Sequence, residues 1–129
     1  MATNNVKKVW ASGKAVVNAW LAIPSGFSAE VIAQCGFDSV TVDMQHGVQD
    51  YQSMVQCFQA MNGHPVTPMV RVPWNEPGII GKVLDGGAYG VICPMIPGLR
   101  SSTPPVRSAS ARPASSGPPA DHLRELQIL

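Results

Sequence analysis

Residues Phe37–Gly47 read FDSVTVDMQHG, and residues Val70–Asn75 read VRVPWN. Each is an apolar, β-branched run that stops abruptly in hydrogen-bonding side chains. The first ends in Asp43, Gln45 and His46, the second in Arg71, Trp74 and Asn75. A strand buried in a parallel sheet reads as a continuous Val/Ile/Leu run, and its C-terminal end is where barrel-type α/β folds place their chemistry. Two such strands side by side deliver an acid, an imidazole and a guanidinium to one rim. That set suits a carbonyl compound bearing a carboxylate.

Outward from these runs, apolar stretches alternate with helical ones. Ala15–Ile23 reads as a first strand, with Pro24, Ser25 and Gly26 as the turn after it. Ser28 is placed to cap a helix running to Gln34, with Glu30 in its first turn, where the helix dipole favours a carboxylate. Gly36 lies just past its end, as a C-terminal glycine should. Phe37–Val42 is the second strand. Asp50 caps a second helix through Met61, with Met54, Val55 and Phe58 at helical spacing, and Asn62 and Gly63 close it. Val66–Val72 is a third strand; Pro65 stands at its start and Pro68 inside it, which points to an edge or a bulge. Glu76–Leu84 is a third helix, with Asn75 as its cap and Pro77 in its first turn, ended by Gly86 and Gly87. Tyr89–Met95 is a fourth strand. The order βαβαβαβ, at a period of about 25 to 30 residues, implies a parallel sheet joined by right-handed crossovers.

Bulk properties narrow the function. A chain of 129 residues holds at most one domain. The net charge of +1 carries no electrostatic footprint for nucleic acid or an anionic membrane. No apolar run reaches the roughly 18 residues that span a bilayer. The stretch behind Lys7 and Lys8 is broken by Ser12, Gly13, Lys14 and Asn18, a poor signal-peptide core. Cys35, Cys57 and Cys93 are isolated in apolar contexts and read as buried, reduced thiols of a cytoplasmic protein. His64, before Pro65, reads as a solvated loop residue, and His122 has no role. The glycines of LDGGAYG lack the spacing of a phosphate loop and read as tight turns. From Pro97 the composition turns to Pro, Ser, Ala and Arg, too poor in apolar residues to offset the cost of ordering the backbone. The expected organisation is therefore a folded domain over 1–96 and a disordered tail over 97–129, with one short helical turn from Asp121 to Leu129.

The segments WLAIPSGFSAEVIAQCGFDSVTVDMQHG, PMVRVPWNEPG and KVLDGGAYGVICPM resemble the HpcH/HpaI aldolase family of 2-oxo-acid aldolases. The likeness spans about residues 15 to 96 and rests on three motifs in order: D-x-x-H-G after one strand, R-x-x-W-N after the next, then LDxGAxGVxxPM. It implies a TIM barrel, a homo-oligomer, and a divalent metal (magnesium, manganese or cobalt) that stabilises the enolate of a pyruvate-like substrate. It implies that His46 moves protons as general base and acid, and that Arg71 holds the keto acid and offsets enolate charge. Asp43 matches a family aspartate near the metal-bound water. Asp85 matches the aspartate of the LD motif, placed to orient the imidazole. Trp74 reads as packing at the rim, with substrate contact as the alternative.

Two departures stand out. Gln45 replaces a glutamate common in the family, so a neutral amide stands where a carboxylate would. The family's metal-binding glutamate and aspartate lie on later strands, and nothing around Asp121 or Glu125 resembles them. The expectation is thus the first three and a half βα units of an eightfold barrel, followed by unrelated sequence of the kind a frameshift or truncated gene leaves. The functional reading is metal-dependent aldol cleavage or condensation of 4-hydroxy-2-oxo acids with pyruvate. Its alternatives are a catalytically inactive fragment of such an enzyme and a citryl- or malyl-thioester lyase on the same barrel.

Overall fold

The computed structural model describes residues 4–96; the expected disordered tail, and the turn expected at Asp121–Leu129, lie outside the described residues. The elements are α1 (Asn5–Ala11), β1 (Asn18–Leu21), α2 (Gly26–Ala33), β2 (Ser39–Asp43), α3 (Tyr51–Met61), β3 (Thr67–Arg71), α4 (Pro77–Asp85) and β4 (Gly90–Ile92). The four strands form one sheet in the order β1-β2-β3-β4, every pairing parallel. This is the βα progression that the alternating pattern predicts.

Local chemistry sets the boundaries and shifts several expected ones. Ser25, not Ser28, caps α2: its hydroxyl accepts from the Ser28 N–H. Glu30 consequently falls beyond the first turn. Asp50 caps α3 as expected and forms a reciprocal capping box with Ser53. Glu76, not Asn75, caps α4, its carboxylate accepting from the N–H groups of Gly78 and Ile79. The first strand is shorter than the apolar run because the Val17 N–H donates to the Asp38 side chain instead of to a ladder partner. Pro68 sits inside a central strand, not at an edge or bulge. Its carbonyl accepts from the Tyr89 N–H, so its ring nitrogen faces the β4 side below Gly90, where that strand begins. No ladder bond is lost there.

The two sheet faces differ. On one, Leu21, Val40, Val42, Val70, Val72, Val91 and Cys93 pack against Ala29 and Ala33 of α2, Met54, Cys57, Phe58 and Met61 of α3, and Val83 of α4. Each large apolar side chain so buried contributes about 1.5–3 kcal/mol. Alternation sends Asn18, Ser39, Thr41, Thr67 and Met69 to the opposite face. There Val6 of α1 packs with Met69, Ile92 and Val16. This first helix is absent from the sequence reading, although Asn4, which caps it, and the Val6–Val9–Trp10 spacing signal it. Cys57 and Cys93 are buried, and burial pushes both thiols up. Cys35 departs from the expected burial: it is exposed at the end of α2, its thiol on the Val31 carbonyl.

Candidate active site

The register of β2 and β3 sets Asp43 directly beside Arg71 at the last position of both strands. The ladder runs one residue further, the Met44 N–H donating to the Arg71 carbonyl. Arg71 then meets Asp43 side on. Its Nε donates to Asp43 Oδ1 at 2.9 Å and its Nη2 to Oδ2 at 2.6 Å, the bidentate geometry that only a guanidinium offers. Both side chains are largely removed from solvent. Burial pushes the Asp43 carboxyl up, but hydrogen bonds from Arg71 and from the His46 and Gln45 N–H groups, with the Arg71 charge, outweigh it. The carboxyl is held below its ordinary value.

The loop after β2 wraps around this carboxylate. The N–H groups of Gln45 and His46 donate to Asp43 Oδ1 at 3.1 and 3.3 Å. Gly47 then turns with φ +95°, a conformation that favours glycine. The His46 side chain stands exposed at the rim. The Gln45 side-chain oxygen is buried without a hydrogen-bond partner among the described residues.

Two residues that the motifs did not single out adjoin this rim. Trp20 of β1 lies under the guanidinium, 4.6 Å from ring centroid to Arg71 Cζ, while remaining 47% exposed. Gln49 is buried, and its Nε2 donates to the Ile23 carbonyl at 2.7 Å, tying the loop after β2 to the loop after β1. Alternation along β1 sets Trp20 on the same sheet face as Asp43; nothing in the sequence shows that it reaches Arg71. No sequence signal marks Gln49.

Asp43, Gln45, His46, Arg71 and Trp74 thus share one end of the sheet. Trp74 follows β3 and is 65% exposed, so it does not pack at the rim as expected. Asp85 is not brought to His46. It is exposed at the C-terminus of α4, the helix end that feeds the start of β4. The glycines after it line a cleft with Asn62, Gly63 and His64, at the opposite end of the sheet. Half-buried His64 belongs to that cleft, not to the rim.

Among the described residues no three His, Cys, Asp or Glu side chains converge on a possible metal position. Asp43 directs both carboxylate oxygens to Arg71, leaving His46 and a neutral amide as rim donors. That set does not fit a divalent cation, which prefers several oxygen ligands. No helix of the described residues is long and apolar enough to cross a membrane.

Parallel βα units in consecutive strand order are the arrangement of TIM-barrel proteins, a class that carries its chemistry at the C-terminal strand ends. Comparison with known proteins agrees. The family model described as HpcH/HpaI aldolase/citrate lyase matches residues 17–101, and the chain belongs to that family. It is 37% identical to a hydroxypyruvate/pyruvate aldolase of Rhizorhabdus wittichii, over 72% of this chain and 37% of the relative. It is 32% identical to a 4-hydroxy-2-oxo-heptane-1,7-dioate aldolase of Escherichia coli, over 86% of this chain and 42% of the relative. Among solved structures it superposes on an HpcH/HpaI aldolase/citrate lyase family protein from Burkholderia cenocepacia with a TM-score of 0.68 and 32% identity, covering 73% of this chain and 38% of that one. The citrate synthase SbnG gives 0.67 at 31% identity with the same coverage. The chain therefore spans about two fifths of the length of these curated relatives.

Proposed function

We propose that the chain carries the keto-acid-handling rim of an aldolase that cleaves or forms 4-hydroxy-2-oxo acids with release or uptake of pyruvate. The observation that carries this reading is the Arg71 guanidinium, fixed by Asp43 at the C-terminal strand end with His46 on the adjoining loop. A fixed, permanently charged guanidinium suits binding the carboxylate of a 2-oxo acid and offsetting the negative charge that develops as the enolate forms. His46, exposed beside it, takes the proton from the 4-hydroxyl in cleavage and returns it in condensation. Asp43 touches neither reacting atom in this scheme and serves as a positioning residue.

The divalent metal (magnesium, manganese or cobalt) implied by the family is not fitted by the described donors. The roles assigned to Arg71, Asp43 and His46 are therefore binding, orientation and proton transfer. The likeness to a citrate synthase supports a second reading, in which the same rim serves condensation rather than cleavage.

The test is retro-aldol release of pyruvate, followed with a coupled reductase. The isolated 129-residue chain with added magnesium, manganese or cobalt should release essentially none, because each 1.36 kcal/mol of missing enolate stabilisation costs about tenfold in rate. Residues 1–96 fused to the second half of a relative's barrel should restore turnover, and His46→Ala or Arg71→Ala should then abolish most of it. Robust turnover by the isolated chain would place a metal site within it. Full activity in both fused variants would remove the site assignment.

A further inference from the structure

The contacts at the rim close into a circuit. Trp20 of β1 lies under Arg71 of β3. Arg71 is bound to Asp43 of β2, and Asp43 accepts the His46 N–H. Three residues past His46, Gln49 leads back to β1. Its Nε2 donates to the Ile23 carbonyl at 2.7 Å and lies 3.4 Å from the carbonyl of Leu21, the neighbour of Trp20. The Ile23 carbonyl also accepts from the N–H of Ser25, the cap of α2, so the acceptor is itself fixed. The two loops meet again at Gly47, where a methyl group would stand 3.8 Å from Ala22.

Gln49 is the single buried residue between Asp43 and Ser53. The next residue, Asp50, is held differently: its capping box with Ser53 fixes it to its own helix, whereas Gln49 supplies the sideways link to the strand under Arg71. The residue type suits that link. A primary amide brings two N–H donors to two carbonyls, while an ionised carboxylate of the same shape brings none. His46 is exposed, so the backbone on either side sets its place on the rim. Upstream that backbone hangs from Asp43, downstream from Gln49. We infer that Gln49 is a positioning residue that holds His46 beside Arg71 by anchoring the loop after β2 to the end of β1. The proton-transfer role of His46 rests on the aldolase reading; the anchoring does not.

The test uses Gln49→Met, which keeps the length of the side chain and removes both donors. In the full 129-residue chain, amide hydrogen exchange followed by NMR should show the Gln45 and His46 N–H groups exchanging at least about tenfold faster, beyond any change shared with Val40 and Val42 of β2. In the fused barrel the same variant should lower kcat about tenfold or more while KM for the 4-hydroxy-2-oxo acid holds, since Arg71 keeps Asp43 and Trp20. An equal change at all four amides, or an unchanged kcat in an active fusion, would overturn the inference. A fusion that is inactive before the substitution sinks the aldolase reading instead, and the exchange measurement alone then decides on the anchor. Should Gln49→Met fail to fold, the Gln49 side-chain N–H signals of the unaltered chain decide. Slow exchange and a hydrogen-bond coupling from Nε2 to the Ile23 carbonyl carbon support the anchor; free exchange refutes it.

Discussion

Arg71 is held from two directions, by the Asp43 carboxylate in its plane and the Trp20 ring under its face. Asp43→Asn keeps an oxygen for the loop N–H groups but removes the charge, and should destabilise the fold by about 1.5–3 kcal/mol near neutral pH. The Asp43 carboxyl is depressed in the folded state. Its contribution is therefore fully present above the ordinary carboxylate value and is lost as pH falls through the depressed folded value. Urea midpoints of the two proteins should differ at pH 7 and begin to converge only as pH falls below about 4; a gap that persists unchanged into stronger acid would show that the ion pair is not its source. Trp20→Ala removes a cation–π contact of about 0.5–2 kcal/mol. The Arg71 Nε–H NMR signal should then broaden, while Trp20→Phe keeps it sharp; an unchanged signal in the alanine variant would mean that Asp43 alone fixes the guanidinium. Asp43, His46 and Arg71 were legible in the sequence because each ends, or follows, an apolar run that has no internal use for charge. Trp20 was not, because a tryptophan within a strand reads as core. Asp85 was misplaced because a motif records that an aspartate ends a helix, not which end of the sheet that helix reaches.

At the scale of elements, the helices depend on side chains that meet both their ends and their neighbours. Met54 is fully buried in the core between α3 and the sheet, and Met54→Ala should cost about 2–5 kcal/mol, measured as a lower urea midpoint at unchanged slope. Asp50→Ala should destabilise and Asp50→Asn largely preserve stability, since the amide oxygen can still accept from the Ser53 N–H. Equal losses in the two variants would point to charge rather than the cap. The βα order was readable because strand and helix periodicities differ. Strand ends and caps were less so, since they turn on single hydrogen bonds such as Val17 to Asp38. Pro68 shows the limit of a local rule: proline excludes a ladder bond only where a partner strand is present to receive one.

At the scale of the molecule, one end of the sheet is unusual. Ile23, Phe27, Val48, Trp74 and Met95 are 60 to 76% exposed, more than any other large apolar side chain of the described residues. They follow β1, β2, β3 and β4 or open α2, so all stand on the rim that carries Arg71. Phe27→Ser with Val48→Thr should raise solubility in ammonium sulfate without changing the far-UV spectrum; no change would show that this collar does not govern association. The opposite end is closed by α1, whose Asn4 and Asn5 side chains donate to the carbonyls of Tyr89 and Pro65 at 3.0 and 3.3 Å. The first of these bonds ties the helix ahead of β1 to an acceptor just before β4, the second to one just before β3. During synthesis the dock for α1 is incomplete until β4 has emerged with Tyr89 and Ile92, and a seven-residue helix alone is too short to persist in water. Among the described elements α1 is thus the last to settle, a latch that shuts only when the four strands after it have been built.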